Sequence, residues 1–392
     1  MGRLAPTPVY MQDRKNKTNL RFPEKAGTLL RAAFFLVFLF LFLAAAQNFL
    51  IPRTHDSLSE TVYEDHGRGY DVLFAGNSLI MNAVYPMEMW HSSGIVGYNL
   101  GTGGQPLTMT SALLKDSIER FRPKLVVLDT TQLIVPVANQ KPAFLHYLTD
   151  NMPFFSKTRF EMTADISGQM SYSLRETAGF FLPFYAYHDR WKELDKGSFT
   201  GDPKKHTSGA KIQSRVIENY KEVPDLTPDP DTELNPYPLS YLNEIIDTCG
   251  KTGTELLLIS IPLCAPREEN SYVTRVNTAY AAERYAVENG IAYYNLIDRG
   301  NELGIDPAHD TTDGYHLNVW GAEKYTAALT GYLVEHYDLP DRRNDLGYSY
   351  LNAKYKRYLL RKYKDCLASE ISDADREQLL MKAEADGVNL GS

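Results

Sequence analysis

Hydrophobic positions along the chain alternate between short apolar runs and longer helical patterns. Five apolar runs predict buried strands, at 71–75, 95–99, 124–129, 254–261 and 291–295. Helical patterns lie between or after most of them, at 79–91, 105–121, 239–250, 270–289 and 318–336. Strands that alternate with helices indicate right-handed βαβ units, and continuously apolar strands indicate a sheet covered on both faces. We therefore predict an α/β fold, a three-layer sandwich around a parallel five-stranded sheet.

An uninterrupted apolar segment precedes this pattern. Residues 32–46 carry no polar side chain, and apolar neighbours extend the segment to about 20 residues, enough for one membrane-spanning helix. Residues 1–31 hold seven Lys or Arg against two acidic residues, so the positive-inside rule places the N-terminus in the cytoplasm. A signal peptide cleaved near Ala44–Ala46 is the alternative. The pattern favours an uncleaved, single-pass anchor in the cell membrane with an extracytoplasmic main domain.

These patterns divide the chain into five parts. They are a basic cytoplasmic leader (1–28), a transmembrane anchor (29–51), a linker (52–69), an α/β domain (70–340) and a helical C-terminal tail (341–392). An insertion at 132–236 interrupts the α/β domain, and its aromatic-rich part suggests a lid or an acceptor-binding subdomain rather than a decorated crossover. The tail places six cationic residues within 354–364, a pattern more typical of a helix packed on its own domain than of one lying on an anionic surface.

Charge and cysteine content exclude several classes of protein. The 392-residue chain has a net charge of −8 despite its basic leader, which argues against nucleic-acid binding by the main domain. Cys249 and Cys264 flank a predicted strand about 30 Å long, beyond disulfide reach. We predict that these two cysteines and Cys366 are free thiols without a catalytic role. No paired Cys-x-x-Cys or Cys/His spacing suggests zinc.

Candidate chemistry begins where the first predicted strand ends. Gly76, Asn77 and Ser78 follow the apolar run directly, and a helical pattern comes next. Serine and asparagine cap helices in many proteins, which is one explanation. The other is that Ser78 is a nucleophile at the carboxyl end of a parallel strand, where open α/β sheets place their sites.

A second candidate lies on the loop before the last predicted helix. Asp313 and His316 are three residues apart, so one tight turn can supply both a general base and the carboxylate that orients it. Because this loop follows the last strand, we expect it to return to the sheet edge where Ser78 emerges. Two alternatives are a metal site made of His309, Asp310, Asp313 and His316, and a helix-capping or buried histidine.

A glycine-rich turn, residues 99–105, follows the second predicted strand. Small residues here let backbone amides approach a ligand closely. The amides of Gly104 and Ser78 are therefore candidate donors to a developing oxyanion.

Together these motifs resemble the SGNH (GDSL-like) hydrolase superfamily. The matching residues, in order, are Gly76-Asn77-Ser78, then Asn99, Gly101 and Gly104, then Asp313 and His316. Asn77 replaces the usual aspartate, and the Gly-x-Asn-Asp block is missing, since 129–132 reads DTTQ. Thr131 or Gln132 could substitute for its side-chain oxyanion donor. The α/β-hydrolase elbow does not fit, because Ile80 stands where its second glycine belongs.

The missing block and the single anchor look like the membrane-tethered branch of that superfamily, which includes the D-alanyl transfer protein of teichoic acid synthesis and alginate-type O-acetyltransferases. The resemblance implies Ser78 as nucleophile, His316 as base, Asp313 as its orienting group, and no cofactor or metal. It implies esterase or O-acyltransferase activity on a cell-envelope polysaccharide or teichoic-acid-like polymer, with a membrane acyltransferase as a possible partner. A catalytically idle scaffold is the alternative. Candidate substrate-binding residues are Asn77, Asn99, Tyr187, His188 and Trp191.

Overall fold

Five parallel strands form one sheet in the order β2–β1–β3–β4–β5. Their bounds are Val72–Ala75 (β1), Gly97–Asn99 (β2), Leu125–Asp129 (β3), Glu255–Ile259 (β4) and Ala292–Tyr294 (β5). The first three strands are buried along their whole length, which explains their continuous apolar sequence. The predicted α/β class and parallel five-stranded sheet are confirmed. The strand order is that of flavodoxin-like sheets, in which sites form between β1 and β3.

The computed structural model of the protein describes residues 24–63, 68–134, 141–153, 156–194, 197–199, 203–222, 226–264 and 269–390. The predicted basic leader therefore lies mostly outside the described residues. The chain divides into two compact units, with the boundary between Asn48 and Phe49.

The helices beside the sheet fall into two packing groups. One group contains α4 (Leu107–Phe121), α6 (Lys157–Gln169) and α9 (Pro236–Thr252), with α4 in contact with both of the others. The other contains α2 (Ser78–Ala83), α3 (Pro86–Ser93) and α11 (Val319–His336), with α11 in contact with both. A further long helix, α10 (Glu269–Glu288), precedes β5. Two helix groups are consistent with the predicted three-layer arrangement.

The predicted single helix at 79–91 is two helices. Val84 and Tyr85 are extended, and Pro86 starts α3 at a position where a missing N–H costs nothing. Both helices bury apolar residues, so the apolar periodicity continues across the break. The hydrophobic pattern alone therefore does not show that the helix is interrupted.

Helix α1 (Glu24–Leu50) spans residues 29–50 of the predicted anchor, and it belongs to the first unit as far as Asn48. Most of its described apolar side chains are exposed, for example Phe34 at 68% and Phe38 at 68%, whereas Leu50 at its end is buried. Among the residues whose side chains are described, no helix is both long enough and apolar enough to cross a membrane. The anchor therefore stays a prediction.

The insertion folds into short helices followed by an extended segment. The helices are α5 (Pro142–Thr149), α6, α7 (Leu174–Phe181) and α8 (Pro183–Tyr187), and 3₁₀ turns follow at His188–Glu193 and Gly197–Phe199. Residues 203–217, which we call the crossing segment, then return along the sheet edge.

The C-terminal tail packs on its own domain through α12 (Tyr350–Ala368), and α13 (Asp373–Ala385) packs on α12. Lys362 is 2% exposed and forms ion pairs with Glu88 of α3 and Glu323 of α11. Because a buried lysine needs such partners, this pair of glutamates explains how a cationic helix can pack against the α/β domain.

All three cysteines are free and buried. Burial raises the pKa of the Cys249 thiol to about 11 and that of Cys264 to about 12, so neither forms a thiolate at neutral pH. The free-thiol prediction is confirmed.

Candidate active site

Ser78 is held at the carboxyl end of β1 by its two neighbours. A Cβ on Gly76 would lie 2.9 Å from the Cβ of Asp129, so only glycine lets β1 and β3 end this close together. Asn77 caps α2, because its side-chain oxygen accepts a hydrogen bond from the Leu79 amide at 2.9 Å. Ser78 thus becomes the first residue of α2, with its hydroxyl at the switch point between β1 and β3.

His316 and Asp313 lie on a tight turn just before α11. The Thr312 amide donates to the His316 carbonyl at 2.9 Å and closes this turn. Oδ1 of Asp313 accepts hydrogen bonds from the amides of Tyr315 and His316, at 3.0 and 2.9 Å. Backbone hydrogen bonds therefore hold the carboxylate in place independently of its contact with the imidazole ring.

The structure brings Ser78, His316 and Asp313 into one hydrogen-bonded chain. His316 Nε2 lies 2.8 Å from Ser78 Oγ, and His316 Nδ1 lies 2.9 Å from Asp313 Oδ2. Burial alone would raise the pKa of Asp313, but hydrogen bonds from the His316 ring and two amides hold it well below its usual range. An ionised Asp313 accepts a hydrogen bond from the Nδ1–H of His316 and so leaves Nε2 free to accept the serine proton.

Two backbone amides at the site have no acceptor within the described part of the chain, those of Ser78 and Gly104. The neighbouring amides are occupied, since Gly103 donates to the Asp56 carbonyl and Gly101 donates to Asn99 Oδ1. Gly104 has a φ of +62°, and a Cβ there would lie 2.2 Å from the Phe144 ring. The turn therefore needs glycine at 104 to present its amide in this way.

The side chains of Thr131 and Gln132, the two predicted substitutes for the missing oxyanion donor, have hydrogen-bond partners inside the protein. The Thr131 hydroxyl donates to Oδ2 of Asp129, and its oxygen accepts from Asn77 Nδ2 at 3.4 Å. Gln132 is also occupied, because its Nε2 donates to the Gln105 carbonyl and to Thr110. Burial raises the pKa of Asp129 to about 6, despite the hydrogen bonds from Thr131 that lower it. The Thr131 hydroxyl thus already donates its hydrogen bond to Asp129, and an oxyanion role for Thr131 stays a prediction.

A cleft of about 390 Å³ opens at Ser78. Four of its lining residues are predicted from the sequence, namely Ser78, Gly104, Asp313 and His316. The lining residues that the sequence does not predict are Asp56, Asn82, Gly103, Phe144, Lys211, Gln213, Arg215 and Thr312. Asn82 had a detectable signal, since it is the polar residue one turn after Ser78 in an otherwise apolar helix. Its Nδ2 donates to the Ser78 carbonyl at 2.6 Å, while its buried Oδ1 has no partner among the described residues.

The crossing segment forms one wall of this cleft and is fixed by backbone hydrogen bonds. The Asn99 amide donates to Ser208, and the Lys211 amide donates to Met81. Further along, the Val319 amide donates to Gln213. The segment thus joins the ends of β2 and α2 to the start of α11, and it places Lys211, Gln213 and Arg215 at the cleft.

Cationic groups gather beside the cleft. Lys211 Nζ lies 2.8 Å from Asp56 Oδ1. Burial and the nearby charges of Arg361 and Lys211 lower the pKa of His55. The lining of the cleft thus contains two cationic side chains, Lys211 and Arg215, and two carboxylates, Asp56 and Asp313.

Asn99 and Asn77 both make structural hydrogen bonds, and their contact with a substrate stays a prediction. Asn99 is 1% exposed, its Nδ2 donates to the carbonyls of Ile80 and Val84, and its Oδ1 accepts from Gly101. Asn99 holds the break between α2 and α3, and Asn77 caps α2.

The three candidates in the insertion do not line the cleft. Tyr187 donates its hydroxyl to Asp150, His188 bonds the Tyr185 carbonyl, and the Trp191 side chain is 64% exposed. They belong to the short helices of the insertion, whereas the crossing segment is the part that reaches Ser78. Their role in substrate binding stays a prediction.

The four residues of the metal alternative belong to two separate networks. His309 bonds Asp310 at 2.8 Å and Asp375 of α13 at 2.9 Å, whereas His316 bonds Asp313 and Ser78. Within the described ranges, no group of three or more His, Cys, Asp or Glu is placed to hold a metal ion.

Comparison with known proteins gives weak structural similarity and no match in sequence. No family model matches the chain, and no curated protein matches it. Among solved structures, a gut microbial diltiazem-metabolizing enzyme matches with a TM-score of 0.31 and 11% sequence identity. The match covers 68% of this chain and 46% of that one, so the chain spans about half the length of the solved protein. A similarity at this level carries no argument about fold or activity.

Proposed function

We propose that this protein is an extracytoplasmic, serine-dependent acyl esterase or O-acyltransferase of the SGNH type that acts on a cell-envelope glycopolymer. The observation that carries the proposal is the chain from Ser78 Oγ through His316 to Asp313, with contacts of 2.8 and 2.9 Å. These distances lie within the range expected of a nucleophile, its base and the orienting group.

The first half of the reaction forms an acyl-enzyme. Ser78 Oγ attacks the carbonyl carbon of an ester while its proton passes to His316 Nε2. The oxyanion that forms accepts hydrogen bonds from the Ser78 and Gly104 amides. When the tetrahedral intermediate collapses, the ester C–O bond breaks and His316 returns the proton to the departing alcohol.

The second half decides between hydrolysis and transfer. His316 takes a proton from water or from an acceptor hydroxyl, whose oxygen then attacks the acyl carbon and releases Ser78. A transferase must exclude water and hold its acceptor close to the acyl group. The crossing segment and Phe144 add walls around Ser78, which favours transfer.

The envelope location rests on α1 and on the basic leader. Helix α1 is 27 residues long, its apolar stretch at 32–46 lacks polar side chains, and the positive charge lies before it. A single-pass anchor with a cytoplasmic N-terminus would keep Ser78 outside the cell, near polymers built at the membrane.

A catalytically idle scaffold is the second candidate function. It is favoured by the occupied side chains of Thr131 and Gln132, which leave the oxyanion to backbone amides alone. Such a protein would dock a membrane acyltransferase rather than carry out chemistry.

Labelling with a fluorophosphonate probe tests the chemistry directly. We expect the probe to modify Ser78 in the wild-type protein, no labelling in Ser78→Ala, and strongly reduced labelling in His316→Ala. Ser92→Ala, a change of an exposed serine on α3, is the matched control and should label normally. An unreactive wild-type protein that is folded by circular dichroism would refute the enzyme and leave the scaffold.

Deletion of the gene separates transfer from hydrolysis. Ester-linked acyl groups on envelope polymers are measured with and without the gene, and with Ser78→Ala in its place. Fewer esters in the deletion strain indicate a transferase, and more esters indicate an esterase. No change in any envelope polymer would contradict both.

A further inference from the structure

Large aromatic side chains are exposed on the part of the insertion that precedes the crossing segment. Phe184 is 42% exposed, Tyr185 43%, Trp191 64% and Phe199 59%. We call these four residues, together with Phe49 at 44%, the aromatic face. Clusters of exposed apolar side chains on a folded domain mark a binding surface more often than chance. None of the five lines the Ser78 cleft, so an acyl-enzyme at Ser78 gives them no role.

The aromatic face is attached to the last two residues of α1. The rings of Phe49 and Phe199 lie 5.2 Å apart between centroids. Arg190, beside Trp191, donates from one guanidinium nitrogen to the carbonyls of Phe49 and Leu50, at 3.4 and 2.8 Å. The face is thus fixed to the point where the apolar helix ends.

The composition of this face suits the border between lipid and water. Aromatic rings with a polar edge gather at that depth, and lysine and arginine extend from there towards phosphate groups. Lys192 lies 5.7 Å from the centre of the Trp191 ring, and Arg175 lies 5.2 Å from that of Tyr185. Trp191 and Tyr185, the two rings of the face that have a polar edge, therefore each have a cation close beside them.

We infer that the aromatic face seats in the headgroup region of the membrane, around the exit of α1, and so fixes the α/β domain to the bilayer. The inference rests on the anchor of the proposed function and not on its chemistry. Sugar stacking, which the aromatic composition also suggests, fits less well because the face adjoins the end of α1 rather than the cleft.

Tryptophan fluorescence tests this seating. The full-length protein is reconstituted in phosphatidylcholine vesicles with and without lipids brominated near the top of their acyl chains. Only Trp191 among the three tryptophans belongs to the face, whereas Trp90 is 2% exposed and Trp320 is half-buried at the start of α11. We expect brominated lipid to quench wild-type emission, and Trp191→Phe to lose most of that quenching. Trp320→Phe is the matched control and should keep it.

The opposite pattern would overturn the inference. That pattern is equal quenching in wild type and Trp191→Phe, or quenching of Trp191 by aqueous iodide and not by brominated lipid. A response of Trp191 to soluble envelope oligosaccharides without any response to brominated lipid would assign the face to sugar and also overturn it. Fluorophosphonate labelling of Ser78 in the same vesicles reports on the chemistry separately, because Trp191→Phe leaves Ser78, His316 and Asp313 intact.

Discussion

Asp56 and Lys211 form a 2.8 Å ion pair at the cleft, although 155 positions separate them in the sequence. The pair joins the segment that follows α1 to the crossing segment, and both side chains line the space beside Ser78. Their exposures of 23% for Lys211 and 37% for Asp56 leave the pair partly solvated. Such a pair contributes little to the free energy of folding. Its main effect is to place one positive and one negative charge at the cleft.

Replacing Lys211 should alter selectivity more than stability. Lys211→Gln removes a positive charge beside Ser78, so kcat/KM for an ester with an anionic acyl group should fall by up to about fivefold, the effect of about 1 kcal/mol. Hydrolysis of neutral p-nitrophenyl acetate should barely change. Lys251→Gln on α9, where the side chain is 79% exposed, is the matched control. Equal losses for both esters would contradict a role in charge recognition.

Replacing Asp313 should remove reactivity while keeping the fold. In Asp313→Asn the amide oxygen can still accept from the amides of Tyr315 and His316, but the imidazole loses the carboxylate that sets its tautomer. By analogy with serine hydrolases, we expect the labelling rate of Ser78 to fall about 10³- to 10⁴-fold. Asp298→Asn, which changes an exposed carboxylate, should label at the wild-type rate. A wild-type rate in Asp313→Asn would show that His316 does not depend on Asp313.

Asp129 should make the protein less stable as the pH rises from about 4 to 6. Its pKa is about 6 in the folded protein against an ordinary value of 3.8, so the folded state holds a proton that the unfolded state has lost. Folding stability falls with rising pH wherever the folded state binds more protons. Asp129→Asn should flatten this slope and raise stability above pH 6 relative to wild type. Urea unfolding at pH 4 to 7 measures it, with Asp247→Asn, an exposed change on α9, as control. If the free energy of unfolding changed with pH in the same way in wild type and Asp129→Asn, the raised pKa of Asp129 would be contradicted.

Alanine substitutions at two glycines with positive φ distinguish the cost of backbone strain from the cost of a steric clash. Gly253 ends α9 with a φ of +70° and open space around it, so Gly253→Ala should cost about 1 kcal/mol and leave Ser78 labelling unchanged. Gly104→Ala adds a clash with Phe144 to a similar strain, so it should cost more, about 2–4 kcal/mol. It should also slow labelling, because the Gly104 amide would move. Thermal melts and labelling rates measure both. Normal labelling in a folded Gly104→Ala protein would exclude that amide from the oxyanion site.

The centre of the sheet could be predicted from the sequence because β1 and β3 are buried along their whole length. β1 and β3 are continuous apolar runs, and their ends carry Ser78 and Asp129 directly into the site. The pairing of Ser78 with His316 followed from topology, since both lie where parallel strands end. The break at Val84 and Tyr85 was missed because the two helices share one apolar periodicity.

The walls of the cleft could not be predicted in the same way. The crossing segment has no regular secondary structure, so its apolar residues follow neither the periodicity of a strand nor that of a helix. Its place is set by single backbone bonds, such as that from the Lys211 amide to Met81, to which any residue type can contribute. The Thr131 hydroxyl donates a hydrogen bond to Asp129. The spacing of these two residues in the sequence does not reveal that contact.

The short connection between Leu50 and Asp56 limits where Ser78 can act. Six residues span at most about 20 Å, so on the proposed topology the nucleophile cannot travel far from the bilayer. Its encounters with substrate then depend on how many chains are present per unit area of membrane, not on their concentration in the surrounding volume. A growing polymer would be modified only while its newest units remain close to the lipid. The pattern of acyl groups along a finished chain would thus record the relative rates of synthesis and acylation.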